Sequence, residues 1–250
     1  MKPTITLAVM VAGISSILLS CSTTPEAKKP PVAQDSSPLA KSILKRMART
    51  CTSVKSYADS GVVYAYHNGV RDPASLSFRI HYLRPDHLKF EMTQNIGSPY
   101  FPERYTVMWY NGDTTYYWER EYPQIVTRHD VTSTIAQFTG TSCRSVHNIP
   151  SLLQKNFGWQ EYLYDIASPS LLGEEVFEHV DCYRIQGAGH GERRLELWIG
   201  KSDYLIRKIK TTYSDFYNEE IHQGIEINQP IPPEMLTFSP PPPISSETHK

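Results

Sequence analysis

From residue 56 onward, apolar and polar positions alternate along most of the chain. Leu76, Phe78, Ile80 and Tyr82 alternate with Ser77, Arg79 and His81, and Leu88, Phe90 and Met92 alternate with Lys89, Glu91 and Thr93. A period of two puts each apolar set on one face of a strand. Arg84-Pro85-Asp86 between them is a turn, so the two runs predict an antiparallel hairpin with one buried face. Residues 105–110 and 114–119 flank Asn111-Gly112, a dipeptide suited to a tight hairpin turn. Leu195, Leu197 and Ile199 alternate with Arg194, Glu196 and Trp198, and residues 204–212 follow a short polar turn as the next strand. Residues 61–67, 180–186 and 219–227 predict further strands.

Helical spacing occurs in three places. Ser37 can cap a helix with Pro38 in its first position and Leu39, Ile43, Met47 and Cys51 recurring along it. Asp130 can cap a second, with Val131, Ile135 and Phe138 on one face and Gly140 at its end. A third short segment opens at Asn148-Ile149-Pro150, carries Leu152, Leu153 and Phe157, and closes at Gly158. No repeat of fixed period and no Pro/Gly/Ser-rich linker divides these elements, so residues 37–238 read as one mainly β (α+β) domain. Residues 239–250, which contain four consecutive prolines from Pro240, read as a disordered tail.

The first twenty residues stand apart. Lys2 precedes an uncharged apolar run over residues 5–19, and Leu18-Leu19-Ser20 stands directly before Cys21. A basic start, a short apolar stretch and small residues at the cut mark a secretory signal peptide over 1–20. Gly13, Ser15 and Ser16 interrupt the run, which is too short for a comfortable membrane-spanning helix of about 20 residues. Leu-Leu-Ser-Cys resembles the bacterial lipobox, which implies that Cys21 becomes the acylated first residue of the mature chain. The other reading is an ordinary signal peptide with Cys21 near the cut by coincidence. Ser22, in place of an aspartate, implies sorting to the outer membrane by the same resemblance. Each buried methylene of an anchor contributes about 0.8 kcal/mol, so two or three acyl chains hold a protein on its membrane. Residues 21–36 contain almost nothing that packs and read as a tether reaching roughly 20 Å.

Composition narrows the class without naming an activity. The chain has 250 residues, 40% apolar and 20% charged, enough for a sizeable core. Twenty-five basic and 26 acidic side chains leave a formal charge of −1, which gives no footprint for nucleic acid. Nineteen prolines and 16 tyrosines favour strands and turns over a helical bundle.

Tyr82-Leu83-Arg84-Pro85-Asp86-His87-Leu88-Lys89-Phe90-Glu91 resembles the aromatic-x-Arg-Pro hairpin of the LolA-like lipoprotein-localisation family. Residues 54–61 resemble that family's passage from first helix to first strand. Trp198-Ile199 with Tyr204-Leu205-Ile206-Arg207-Lys208 resembles its late hairpin, and Ile231-Pro232-Pro233-Glu234 with Phe238 resembles its closing segment. The resemblance implies a strongly curved antiparallel sheet, an unclosed half-barrel whose concave apolar face is covered by helices and receives acyl chains. On that expectation the cavity is lined by Leu76, Phe78, Ile80, Leu88, Phe90 and Met92, by Val107, Trp109 and Trp118, and by Leu195, Leu197 and Ile199. Taken singly, these residues read equally as ordinary core; the cavity reading needs their face to be only partly filled by the short helices. A sixteen-carbon chain buried there gains about 12 kcal/mol gross at about 0.8 kcal/mol per methylene, before ordering costs. The loop over residues 97–102, with Tyr100 and Phe101, is the candidate rim or membrane-facing protrusion; its other reading is a Pro-rich connection packed on the domain. Two departures stand out. An anchored chain cannot shuttle as the family's soluble carrier does, and Gly200 replaces an acidic residue in the late hairpin.

The expected function is a lipid-anchored envelope protein that binds acyl chains or lipidated proteins, with the membrane reached through the anchor and an envelope protein as a further partner. The rival is an envelope scaffold or sensor with a filled core and a protein-binding surface. Enzyme signals are thin. Cys143 and His147 lie four apart without the surroundings of a cysteine hydrolase. His81 and His87 flank the Arg84-Pro85 turn and lack the company of a zinc site, as does His190-Gly191-Glu192. No GxGxxG, Walker A, HExxH or GxSxG occurs, so neither catalysis, metal nor cofactor is expected. Cys51, Cys143 and Cys182 permit one disulfide among three pairings, or three buried thiols.

Overall fold

The computed structural model describes residues 37–95, 103–142, 145–154, 157, 163, 166–189 and 193–241. The leader, the tether with Cys21, the loop residues Tyr100 and Phe101, Cys143, His190-Gly191-Glu192 and residues 242–250 lie outside them.

Helix α1 (Pro38–Ser53) starts where the sequence predicts: Ser37 is extended, its Oγ accepts from the Ala40 N–H at 3.4 Å, and Pro38 takes the first turn. It buries Ala40, Ile43, Leu44, Met47 and Cys51. The chain then runs through β1 (Ser56–His67), β2 (Val70–Leu83), β3 (His87–Asn95), β4 (Arg104–Asn111), β5 (Thr115–Glu119) and β6 (Val126–Arg128). Helices α2 (Val131–Thr141) and α3 (Ser145–Leu153) follow, then β7 (Ala167–Phe177), β8 (Val180–Ala188), β9 (Arg194–Gly200), β10 (Ile206–Thr212) and β11 (Phe216–Ile227). A short 3-10 turn, Pro233–Met235, lies beyond the last strand. Asp130 caps α2 as its sequence indicates, accepting from the Thr132 N–H at 3.0 Å. Helix α3 differs from expectation. It begins at Ser145, which puts Pro150 inside the helix and not at its opening.

Among the described residues, 11 strands form one antiparallel sheet in the order β6-β5-β4-β3-β2-β1-β11-β10-β9-β8-β7. The chain enters at the centre, meanders outward to β6, crosses through α2 and α3, and meanders back from β7 until β11 pairs with β1. Strands β6 and β7 are the two edges, so the barrel stays unclosed, as the resemblance implies. The β4–β5 hairpin turns at Asn111-Gly112, where Gly112 takes φ +95°, a conformation that glycine adopts without a side-chain clash.

Register decides which residues meet. Phe78 lies opposite Met92, Ile80 opposite Phe90, and Tyr82 opposite Leu88; Phe90 in turn lies opposite Met108. In the other half, Leu197 lies between Ile185 and Ile209. These residues join the helix side chains Met47, Ile135, Phe138, Ile149 and Leu152 in one core. Gly61 keeps that face close to the backbone: a Cβ there would stand 2.2 Å from Phe78 Cζ and 2.5 Å from the Ile221 carbonyl oxygen. The Phe78 ring thus lies across β1 where any side chain would stand.

Arg84, the arginine of the Arg-Pro turn, fastens two helix ends. Its Nε donates to the Val54 carbonyl at 2.9 Å, and Nη2 donates to those of Thr52 at 2.7 Å and Leu153 at 3.1 Å. The last carbonyls of α1 and α3 lack intrahelical partners, and a guanidinium meets both their hydrogen-bonding need and the negative end of the helix dipole.

Candidate functional site

The concave face of the sheet carries nine of the twelve residues that the sequence assigns to a cavity: Leu76, Phe78, Ile80, Leu88, Phe90, Met92, Leu195, Leu197 and Ile199, all buried in the main core. The covering helices fill this face with aromatic rings. Phe138 of α2 meets Phe90 edge-on at 6.5 Å and Tyr117 at 4.8 Å. Phe157, just beyond α3, meets Tyr82 at 6.0 Å and Tyr110 at 5.6 Å. Both phenylalanines are essentially without solvent exposure. Tyr82 also donates through its hydroxyl to Gln154 Oε1 at 2.9 Å, closing the C-terminal end of the cover.

Val107, Trp109 and Trp118 do not belong to that face. Met108 lies opposite Phe90, so its neighbours in β4 point the other way, and Val107 pairs with Trp118 on the convex side. The three form a separate buried cluster with Tyr105 and Tyr116, capped by Phe238 of the C-terminal segment. Phe238 stands 5.1 Å from the Trp118 ring and 5.6 Å from Trp109, while Trp109 stacks on Tyr116 at 5.0 Å. Residues 105–110 are apolar almost throughout, so no alternation marks a face, and a shift of one residue reverses the assignment. Phe238→Ala is expected to expose this cluster, moving tryptophan emission to the red at a cost of about 1–2 kcal/mol, the worth of one or two aromatic pairs. Unchanged emission would show that the segment does not cover the tryptophans in solution.

A polar cluster lies in the middle of the concave face. Tyr57, Asp59, Gly61 and Val63 alternate inward along β1, opposite Tyr82, Ile80, Phe78 and Leu76 of β2. On the other side of β1, Gly61 lies opposite His222 and Val63 opposite Glu220 of β11. His222 Nδ1 is 2.6 Å from Asp59 Oδ2, and its Nε2 is 3.0 Å from Glu220 Oε1. Tyr57 donates through its hydroxyl to Asp59 Oδ2 at 2.8 Å, and Asn148 Nδ2 of α3 donates to Glu220 Oε2 at 2.6 Å. Asp59, Glu220, His222 and Asn148 are each at most 5% exposed. Burial alone would push the imidazole down; the hydrogen bonds and charges of Asp59 and Glu220 outweigh it and hold His222 at about 9. The imidazole between the Asp59 and Glu220 side chains thus holds its proton more tightly than a free one. The Phe78 ring lies edge-on to His222 at 5.4 Å, so these charges touch the apolar lining directly.

None of these polar residues is marked as a site by the sequence. Asp59 shares the inward parity of Tyr57 and Val63, and Glu220 and His222 are two apart and so share a face; that parity was the available signal. Their meeting depends on pairing the first strand with the last, which no local pattern states. Beyond His222, β11 runs on past its pairing with β10, which ends at Lys208 opposite Ile221. A depression of about 590 Å3 lies there, walled by Arg207, His222, Gln223 and Gly224 with the β7–β8 turn.

The remaining candidates separate. His81 lies opposite Lys89 and His87 opposite Leu83, so the two imidazoles do not face one another. His81 is buried, and that burial lowers its affinity for a proton. Cys51 and Cys182 are free and buried, and burial pushes the Cys51 thiol up to about 12. Among the described residues no group of acidic, histidine and cysteine side chains is arranged to hold a metal ion. Nor is any described helix long and apolar enough to cross a membrane.

Fold and site together define an open antiparallel half-barrel with a helix-covered apolar face and a charged centre. Residues 40–244 match the model of a family described as predicted periplasmic protein (DUF2092), and the chain belongs to that family. No curated protein matches the sequence. Among solved structures, LprF from Mycobacterium bovis shares the fold at a TM-score of 0.51 and 12% identity, covering 80% of this chain and 97% of its own. Lipoprotein LppX of Mycobacterium tuberculosis is similar at a TM-score of 0.46 and 12% identity, covering 79% and 99%. A LolA superfamily protein of Nitrosomonas europaea is similar at 0.39 and 12% identity, covering 80% and 97%.

Proposed function

We propose that the protein is a lipid-anchored envelope protein, held through Cys21 on the periplasmic side of the outer membrane, whose concave face receives an acyl chain or the acylated end of another protein. The observation that carries this reading is the apolar face itself. Among the described residues it shares one core with side chains of α1, α2 and α3 and with Phe157, Leu163 and Ile166 of the connection to β7. Moving α2 and α3 aside exchanges Phe138 and Phe157 for a hydrocarbon chain at small cost in buried apolar area. The role needs no catalytic group, metal or cofactor, and the periplasmic description of the family is consistent with it.

The test is a chain carrying Cys21→Ala, purified without detergent. It is expected to leave the membrane fraction, and native mass spectrometry is expected to find a removable mass matching a fatty acid, acylglycerol, phospholipid or lipopeptide. A chain that stays free of lipid after incubation with these would sink the acyl-binding reading. It would favour the rival, a scaffold or sensor, for which the burial of Phe138 and Phe157 against the concave face already speaks.

A further inference from the structure

Charge is unevenly spread along the chain, and α1 holds an excess of one sign. Lys41, Lys45, Arg46 and Arg49 stand in it without a single acidic residue. The rest of a chain with 25 basic and 26 acidic side chains is therefore net negative. Lys41, Lys45 and Arg49 follow one another at intervals of four, which sets them in a row along the helix. The helix turns Ala40, Ile43, Leu44, Met47 and Cys51 into the core, and the three cations stand exposed. Arg46 donates to the Tyr204 hydroxyl at 2.7 Å, whereas no described acidic side chain pairs with the other three. Like charges four apart weaken a helix, so stability does not account for the row.

Apolar surface lies next to these cations. A groove of about 330 Å3 beside Lys41 and Lys45 is lined by Leu44, Ala48, Ile166 and Pro169, between α1 and the start of β7. Leu39, in the first turn, is 52% exposed. A helix that joins cations to exposed apolar side chains suits the boundary between lipid headgroups and acyl chains. The place of α1 in the chain favours the same partner. It opens directly after the tether, which in the proposed function ties it to a bilayer within a reach of roughly 20 Å. A face held that near to a membrane meets headgroups at high effective concentration, so a modest attraction suffices.

We infer that the outer face of α1, through Lys41, Lys45 and Arg49, docks on an anionic phospholipid surface and turns the helix-covered side of the half-barrel toward the bilayer. The cations meet headgroup phosphates, and Leu39 enters beside them. Docking thus sets the cover next to the lipid from which a chain would come. The inference goes beyond the acyl-binding reading and shares only the anchor with it. Its test uses neither the anchor nor a bound chain.

The Cys21→Ala chain is sedimented with vesicles of phosphatidylglycerol and, in parallel, of phosphatidylcholine. It is expected to follow the anionic vesicles and to stay in solution with the zwitterionic ones. Each cation near an anionic surface contributes about fivefold in affinity, so Lys41→Gln, Lys45→Gln and Arg49→Gln together should lower partitioning on the order of a hundredfold. Glutamine supports a helix about as well as lysine or arginine, so this variant keeps the fold. Three charges removed elsewhere, by Arg71→Gln, Arg79→Gln and Arg104→Gln at exposed positions of β2 and β4, should change partitioning far less. Equal falls in the two triple variants would assign the attraction to net charge and overturn the inference. Sedimentation with neither kind of vesicle, or equally with both, would overturn it too and leave the row of cations to an acidic protein partner. All of these results leave the acyl-binding reading standing.

Discussion

His222→Ala is expected to destabilise the protein by about 3–5 kcal/mol at neutral pH, the range seen when one partner of a buried ion pair is removed and the other charge stays buried. Here two carboxylates, Asp59 and Glu220, lose their shared counter-charge at once. The proton affinity of His222 also predicts how stability depends on pH. His222 is held at about 9 in the folded chain against 6.5 for a free imidazole, so folding tightens its hold on a proton. A group whose proton affinity rises on folding contributes its full stabilisation below the unfolded value and loses it as pH rises through the folded one. The parent protein should therefore lose about 3 kcal/mol between pH 6.5 and somewhat above 9, since each tenfold gain in proton affinity is worth about 1.36 kcal/mol. Urea unfolding at a series of pH values checks both. The alanine variant should lack this decline, and a parent stability flat from pH 6.5 to 9.5 would show that no proton is held between the two carboxylates.

The second large effect concerns the cover. Phe157 is fully buried and meets two tyrosines of the sheet, one from β2 and one from β4. Phe157→Ala should cost about 3–5 kcal/mol, as for other fully buried phenylalanines. The distinguishing readout is dye binding under native conditions. If the concave face is held shut by this plug, the folded variant should bind an apolar fluorescent dye that the parent excludes. A variant that loses stability but still excludes the dye would mean that the remaining core closes over the gap, and the face would count as ordinary core.

The readable parts of this fold are those where local pattern and tertiary role agree. The β2–β3 and β4–β5 hairpins carry their own turns, and Ser37 and Asp130 cap helices within a residue of where they stand in sequence. Strand β7 was not readable because it is an edge. It contains Pro169 near its start, Gly173 at an irregularity in its pairing and two glutamates, features that interior strands avoid and edge strands tolerate. In β4 the difficulty is opposite: Val107, Met108 and Trp109 are all buried, so polarity cannot tell concave from convex. The site was the least legible part. A buried aspartate, glutamate and histidine look like surface residues in a one-dimensional pattern, and only the β1–β11 register brings them together.

That register also bears on how the molecule assembles. Strands β1 to β6 form one meander and β7 to β11 another, each built from neighbours in sequence, and the two join only where the first strand meets the last. As the chain is made from its N-terminus, β1 must wait with one side unpaired until nearly every other residue has followed, a long-range closure of the kind that slows folding. Asp59 waits on one side of that seam, and Glu220 and His222 arrive on the other. A carboxylate at the waiting edge stays hydrated and discourages premature pairing with foreign strands, much as inward-pointing charges protect exposed sheet edges. When β11 pairs there it brings His222 to 2.6 Å from Asp59, so the charge that kept the edge hydrated gains its partner as the seam closes.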